Sequence, residues 1–208
     1  DILPPQSQSS IATILRGQCH SSSQIMLSNL AASTLRRSVT CAARRCVVTR
    51  SLHVEKRLKE LGIELPPPSS PRANYNIVCH ASGNMMYVSG HLPFQPDGTL
   101  MTGRIGEGGR DKDYGYEAAR HAGLNIISTL KEQLGDLDRV EQVVKIFGIV
   151  QSTDEFKEQH LVMDGCSDVI MEVFDKPVGY HARSAIGTST LPIDISVEVE
   201  AIVQIKPE

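Results

Sequence analysis

One arginine and two glutamates near the end of the sequence are the residues whose types and spacing could act on a small acid. Arg183 lies in an otherwise small and apolar segment, and Glu198 and Glu200 are two residues apart in an alternating one. A guanidinium can hold a carboxylate through two parallel hydrogen bonds, while a carboxylate can position a water and take its proton. A structural ion pair at the edge of a sheet is the alternative that the pattern leaves open.

These groups can meet only if the segments that carry them form neighbouring strands. Segments 181–188 and 194–205 are predicted as strands, and the second alternates apolar and polar residues, with Ile202 as an apolar residue on the polar side. If the two strands pair as a hairpin, Arg183 lies opposite about residue 200. We therefore expect Arg183 within reach of Glu198 or Glu200.

The remaining elements predict an α+β domain with the order β-β-α-β-α-β-β. The further candidates are strands at 75–80, 85–92 and 140–150 and helices at 116–134 and 154–174, the second helix capped by Asp154. Helices of this length would cover one face of a mixed sheet. The other face is partly apolar, which favours an oligomer that covers it with a partner subunit.

Composition divides the chain into three parts. Residues 2–54 contain six Arg and no Asp, Glu or Lys, and they are rich in Ser, which is typical of an organelle transit peptide. We predict that residues 1–53 are a targeting leader, disordered or cleaved, that directs the protein to mitochondria; a plastid or cytoplasmic location and a low-complexity extension are the alternatives. Residues 54–74 are predicted as a short helix and a Pro-rich connector, and residues 75–208 as the folded domain.

Charge and composition argue against several classes of function. Of 21 Lys+Arg and 24 Asp+Glu, six Arg and Asp1 precede residue 55, which leaves 15 against 23 and a net charge of −8. Binding to nucleic acid is therefore not expected. No run approaches the roughly 18 apolar residues of a membrane span. Cys79 and Cys166 are far apart and no His has ligand spacing, so we predict no metal site.

Three segments resemble motifs of the YjgF/Rid family. Residues 87–93 (YVSGHLP) resemble its V-S-G-Q-I/L-P signature, and residues 182–201 resemble its A-R-S…L-P…V-E-I-E-A ending. Residues 138–147 resemble the strand between them, so that the resemblance covers about 73–205. The longer form of these motifs is most similar to the branch described as endoribonuclease L-PSP-like.

The resemblance implies a chorismate-mutase-like fold and a homotrimer with its clefts between subunits. Members similar to the best-known deaminases of the family hydrolyse reactive 2-imino acids and their enamine tautomers to 2-keto acids and ammonia, without a cofactor. Arg183 would then hold the substrate carboxylate, and Glu198 would position the attacking water and take its proton. Ser89 and Tyr75 would line the pocket.

Two departures from the family pattern concern the substrate more than the fold. Ala185 stands where many of the deaminases have Cys, and His91 stands where the family usually has Gln. His91 is accordingly a candidate pocket wall or, beside Ser89, a proton shuttle. Two further functions stay open, an endoribonuclease and a non-catalytic module that binds a small carboxylate through Arg183.

Overall fold

The computed structural model describes residues 53–71 and 73–207. Within them lie, in chain order, α1 (Val54–Leu61), β1 (Val78–Ala81), β2 (Met85–His91), α2 (Lys112–Leu134), β3 (Val140–Gln151), α3 (Gln159–Phe174), β4 (Ala182–Thr188) and β5 (Val197–Ile205). The predicted order β-β-α-β-α-β-β is confirmed, with α1 preceding it. The predicted leader, apart from His53, lies outside the described residues.

The five strands form one mixed sheet in the order β1-β2-β5-β3-β4. β3 and β4 are parallel, and the other neighbours are antiparallel. The predicted hairpin of the last two strands is therefore wrong, because β3 lies between them. The reason is that α3 carries the chain back over the sheet, which places β4 parallel to β3, and β5 then pairs along the other side of β3.

The two long helices cover one face of this sheet, as predicted. Asp111 begins α2 by accepting a hydrogen bond from the backbone N–H of Tyr114 at 2.7 Å, and Gly135 ends it. The predicted cap of the second helix at Asp154 is wrong, because α3 begins only at Gln159. The fully buried core lies between the helices and the sheet and includes Ile126, Ile127, Leu130, Ile146, Val150, Val169, Ile170, Val197 and Val199.

Two glycines allow α2 and α3 to pack closely. A Cβ at Gly165 would lie 2.0 Å from the carbonyl oxygen of Tyr116, and a Cβ at Gly123 would lie 2.7 Å from a methyl of Val169. Both distances are far below van der Waals contact. A side chain at Gly165 would therefore force the helices apart, because the atom it meets belongs to the backbone.

The first helix and the Pro-rich connector pack against the same domain. The backbone N–H of Val54 donates to Asp138 at 2.8 Å, and the hydroxyl of Ser128 in α2 donates to the carbonyl of Pro66 at 2.5 Å. Leu58 is buried. Among the residues that the structure describes, no helix has the length and apolar character needed to cross a membrane.

Candidate functional site

The register of the sheet places Arg183 and Glu198 on opposite faces. Ile146 of β3 pairs with both Arg183 and Ala201, and Ile146 and Ala201 are buried beneath the helices. Arg183 therefore points to the helix-covered face. Glu198 pairs with Ile149, whose side chain alternates with buried neighbours and points to the open face. The expected contact between Arg183 and the glutamates within one chain is thus wrong.

Arg183 lies on the edge strand β4 and is held by α3. One terminal nitrogen donates to Asp164 Oδ1 at 2.8 Å and to Ser167 Oγ at 2.9 Å, and the other donates to the carbonyl of His160 at 3.1 Å. The Arg183 side chain is 22% exposed and that of Asp164 is 43% exposed. The guanidinium is thus fixed in place and can be reached from solvent, but it already has a carboxylate partner.

Glu198 meets the V-S-G segment of β2 at Gly90. A Cβ at Gly90 would lie 1.8 Å from Glu198 Oε1, so the carboxylate fills the space that a side chain there would need. Burial raises the pKa of Glu198, and the charge of Glu200 raises it further. A carboxylate whose pKa is raised toward neutral is a better proton acceptor for general-base chemistry near pH 7.

Ser89 lies beside Gly90 on the open face. Its hydroxyl donates to the carbonyl of Asn76 at 2.8 Å, and its backbone N–H donates to the carbonyl of Ile77 at 2.9 Å. It lines a cleft of about 270 Å³ on that face together with Tyr87, Lys145, Phe147 and Glu200. Lys145 donates to the hydroxyl of Ser184 at 2.8 Å. The open face therefore presents groups of both charges next to apolar surface.

Tyr75 lies in a second cavity, beyond the end of β2. This cavity of about 250 Å³ is lined by Tyr75, Gly90, Phe94, Asn125 and the connector residues 66–70. Gly90 lines the cavity and also contacts Glu198, so the two regions adjoin at that residue. Tyr75 is half exposed.

The structure places His91 in the core. The ring is fully buried, with Nδ1 2.7 Å from the carbonyl of Ser89 and Nε2 2.7 Å from the hydroxyl of Thr129. A carbonyl only accepts, so we assign the proton to Nδ1 and an accepting role to Nε2. Burial lowers the pKa of His91 against the opposing effect of the Ser89 carbonyl. His91 lines neither the cleft of Ser89 nor the cavity of Tyr75.

The two cysteines of the described residues differ in environment. Cys166 is fully buried, which raises the pKa of its thiol to about 12, and Cys79 is exposed. A buried thiol with so high a pKa is a poor nucleophile. Among residues 53–71 and 73–207, no cluster of three or more His, Cys, Asp or Glu could hold a metal ion.

The sequence motifs did not identify three residues of the site, Asp164, Ser167 and Gly90. Asp164 and Ser167 lie on a helix, 19 and 16 positions before Arg183, and only the packing of α3 on β4 reveals their contact. Gly90 stood within the V-S-G motif, but the need for a glycine follows from the position of Glu198. The V-S-G motif therefore marked the position of Gly90, but the physical reason for a glycine there could not be inferred from the sequence.

The chain belongs to the family described as "YjgF/chorismate_mutase-like, putative endoribonuclease", whose model matches residues 55–203. It is 43% identical over 159 residues to protein TCP17 of Trypanosoma cruzi, covering 76% of this chain and 98% of TCP17. It is 26% identical over 147 residues to the mitochondrial protein MMF1 of Saccharomyces cerevisiae, covering 70% and 83%.

A solved structure extends this likeness to the fold. The protein Atu1372 of Agrobacterium tumefaciens superimposes with a TM-score of 0.66 at 41% identity, over 75% of this chain and 96% of that one. The family and the chorismate-mutase-like α+β fold expected from the sequence motifs are confirmed.

Proposed function

We propose that this protein hydrolyses reactive 2-imino acids and their enamine tautomers to 2-keto acids and ammonia. The observation that supports this most is the contact of Glu198 with Gly90, which brings together the V-S-G segment of β2 and the glutamate of β5. The raised pKa of Glu198 suits a carboxylate that takes a proton from water.

The reaction asks little of the protein beyond positioning. The carbon of a protonated imine is already electrophilic, so attack by water forms the C–O bond while Glu198 accepts a proton from that water. Glu198 passes this proton to the nitrogen, and the C–N bond breaks as ammonia leaves. The new hydroxyl gives its own proton to Glu198 as its oxygen becomes the carbonyl of the keto acid. Arg183 would hold the substrate carboxylate, with Ser89 and Tyr75 beside the reacting carbon. Orientation and electrostatic stabilisation then supply most of the acceleration.

The proposed site needs two copies of the chain. Arg183 and Glu198 lie on opposite faces of one sheet, so a substrate held by both would lie between Arg183 of one subunit and Glu198 of its neighbour. The open face also carries Tyr87 and Ile186, each about half exposed, which supports burial by a partner. We therefore propose that the site lies between subunits, and we take the number of subunits from the family resemblance, which implies a homotrimer with one cleft at each boundary.

The proposed location is the mitochondrion. The leader composition of residues 2–54 supports it, and so does the yeast relative MMF1, which is described as mitochondrial. Imino acids that form there would be removed where they arise.

The family description names an endoribonuclease, so RNA cleavage is the first rival activity. The net charge of −8 from residue 55 onward disfavours a nuclease, because RNA-binding surfaces neutralise phosphates with Lys and Arg. A module that binds a keto or imino acid without turnover is the second rival, because Arg183 would serve it equally well.

The test measures ammonia and keto-acid release from freshly generated 2-aminoacrylate and 2-iminobutanoate by the full chain. We expect acceleration over spontaneous hydrolysis that falls about 10²-fold or more in Glu198→Gln and in Arg183→Ala. Glu141→Gln, an exposed glutamate on β3, is the matched control. No acceleration by a folded protein would refute the deaminase, and RNA cleavage that survives Arg183→Ala would favour the nuclease.

Mixing the two inactive variants tests whether the site is shared between subunits. Random trimers of Arg183→Ala and Glu198→Gln would place an intact Arg183 opposite an intact Glu198 in about a quarter of the clefts. Activity should therefore reappear after subunit exchange. A mixture that exchanges subunits and stays inactive would contradict the shared site, whatever the reaction.

A further inference from the structure

Arg183 is an unusual candidate for binding a ligand whose only charge is a carboxylate, because the guanidinium is already paired with the carboxylate of Asp164. Asp164 accepts from the guanidinium at 2.8 Å and largely cancels its charge. Both side chains remain partly exposed, Asp164 more than Arg183. The surface at this point therefore presents a positive and a negative group side by side.

We propose that the Arg183–Asp164 pair recognises a zwitterion, and that Asp164 distinguishes the iminium substrate from the keto-acid product. This inference rests on the proposed deaminase function and names the charge state of its ligand. A protonated 2-imino acid carries a carboxylate and, on the adjacent carbon, a positive nitrogen. The keto acid keeps the carboxylate and has lost the cation.

The hydrogen-bonding capacity of the pair fits such a ligand. A guanidinium has five N–H groups, and three of those of Arg183 are taken by Asp164, Ser167 and the carbonyl of His160. The remaining two donate to no other described residue, and we assign them to the ligand carboxylate. The Asp164 carboxylate accepts one hydrogen bond from Arg183 and has further lone pairs for a cationic N–H.

Selectivity follows from the charges. A ligand carboxylate alone is attracted by Arg183 and repelled by Asp164, so the keto acid gains little binding free energy from the pair. A zwitterion places its carboxylate against Arg183 and its cation against Asp164, so both contacts are attractive and favour binding. Asp164 would also favour the protonated imine, which is the more electrophilic form. His181, which lies 3.1 Å from the hydroxyl of Ser167, adds little positive charge, because burial lowers its pKa.

The experiment compares the binding of L-alanine, a zwitterion, and pyruvate, an anion, to the full chain by calorimetry. Asp164→Asn should weaken alanine and strengthen pyruvate, shifting the ratio of the two Kd values by about tenfold or more. Asp168→Asn is the matched control, one helical turn further along α3, since Asp168 accepts from Tyr116 and does not contact Arg183. Thermal melting of each variant checks the fold.

Opposite shifts for the two probes in Asp164→Asn, with the ratio unchanged in Asp168→Asn, would establish the proposal. Equal losses for both probes would overturn it and leave Asp164 as a group that only orients Arg183. An unchanged ratio, or no binding of alanine to the wild-type protein, would overturn it as well. Because these readings require no turnover, they are separable from failure of the deaminase assay.

Discussion

The two faces of the sheet use their polar groups differently. On the helix-covered face His91 is bonded through both ring nitrogens, to the carbonyl of Ser89 and to the hydroxyl of Thr129. On the open face Glu198 makes no hydrogen bond to another described residue, and its pKa is raised. Polar groups on the covered face hold the fold together, whereas Glu198 on the open face keeps its hydrogen-bonding capacity for a ligand.

Arg183 is an intermediate case between the two faces. It points to the covered face, but it lies on the edge strand, where the cover is incomplete and 22% of its side chain is exposed. A residue at such an edge can be fixed by the helix and still be reached by a ligand or a second subunit. The proposed site thus combines the open face of one copy with the edge of another.

Two glycine substitutions should separate the faces most clearly. Gly165→Ala on the covered face drives a Cβ into the backbone of Tyr116 and should cost about 1–3 kcal/mol or more of folding free energy. For Gly90→Ala on the open face, the three atoms nearest to the new Cβ all belong to the Glu198 side chain, which can turn away. This substitution should therefore leave the denaturation midpoint nearly unchanged and lower deaminase kcat about 10²-fold by misplacing the carboxylate.

Chemical denaturation and the deaminase assay on both variants provide the measurement, and Gly62→Ala, a helix end with free space around it, shows the cost of a strained backbone alone. A Gly90→Ala protein that unfolds as readily as Gly165→Ala would remove the distinction between the faces. Full activity in a folded Gly90→Ala protein would show that the position of Glu198 does not matter.

The sequence was sufficient to predict the faces of β5 but not its neighbours. Alternation with a period of two tells which residues share a face, and Glu198 indeed lies on the polar side. The alternation contains no information on which strands are neighbours in the sheet. The predicted hairpin of β4 and β5 is wrong because β3 lies between them. The contact of Arg183 with Glu198 was lost with it.

His91 was expected to share a pocket with Ser89 because the two residues belong to one motif and are two positions apart. Residues two apart in a regular strand share a face, but the pairing of β2 with β5 shifts register between Val88 and His91. A bulge of this kind changes which residues face the core, and it turns Ser89 outward and His91 inward. Gly90 is a sign of a bulge in the letters Y-V-S-G-H-L-P, since a glycine inside a strand often marks one, but the register of the shift depends on the partner strand.

The bond between Thr129 and His91 gives an effect of intermediate size on the covered face. Thr129→Val keeps the side-chain shape but removes the hydroxyl, which leaves Nε2 of His91 buried without a donor. We expect a loss of about 1–3 kcal/mol in the free energy of unfolding at pH 7. Thr190→Val, in the loop after β4, should stay within about 0.5 kcal/mol. Denaturant titration at constant pH measures both.

The pH dependence supplies the second arm of this test. The folded protein holds His91 with a lowered pKa, so the unfolded chain binds the proton first as pH falls below about 6.5. Stability from His91 is therefore complete above that pH and is lost as pH falls toward the folded pKa. His91→Gln should flatten this slope, with the contributions of His121 and His181 remaining. An unchanged slope would mean that folding does not change the pKa of His91, and would contradict the lowered pKa.

The smallest expected effect concerns Glu200, the neighbour of Glu198 on the open face. Its charge is the second cause of the raised pKa of Glu198, after burial. Since Glu198 must be deprotonated to accept a proton, deaminase activity should fall as pH drops through its pKa. Glu200→Gln lowers that pKa and should move this acid limb to lower pH, and added salt should move the limb of the wild type in the same direction by screening Glu200. Glu141→Gln should leave the limb in place, and a limb that stays fixed or moves upward in Glu200→Gln would mean that another group sets the pH dependence.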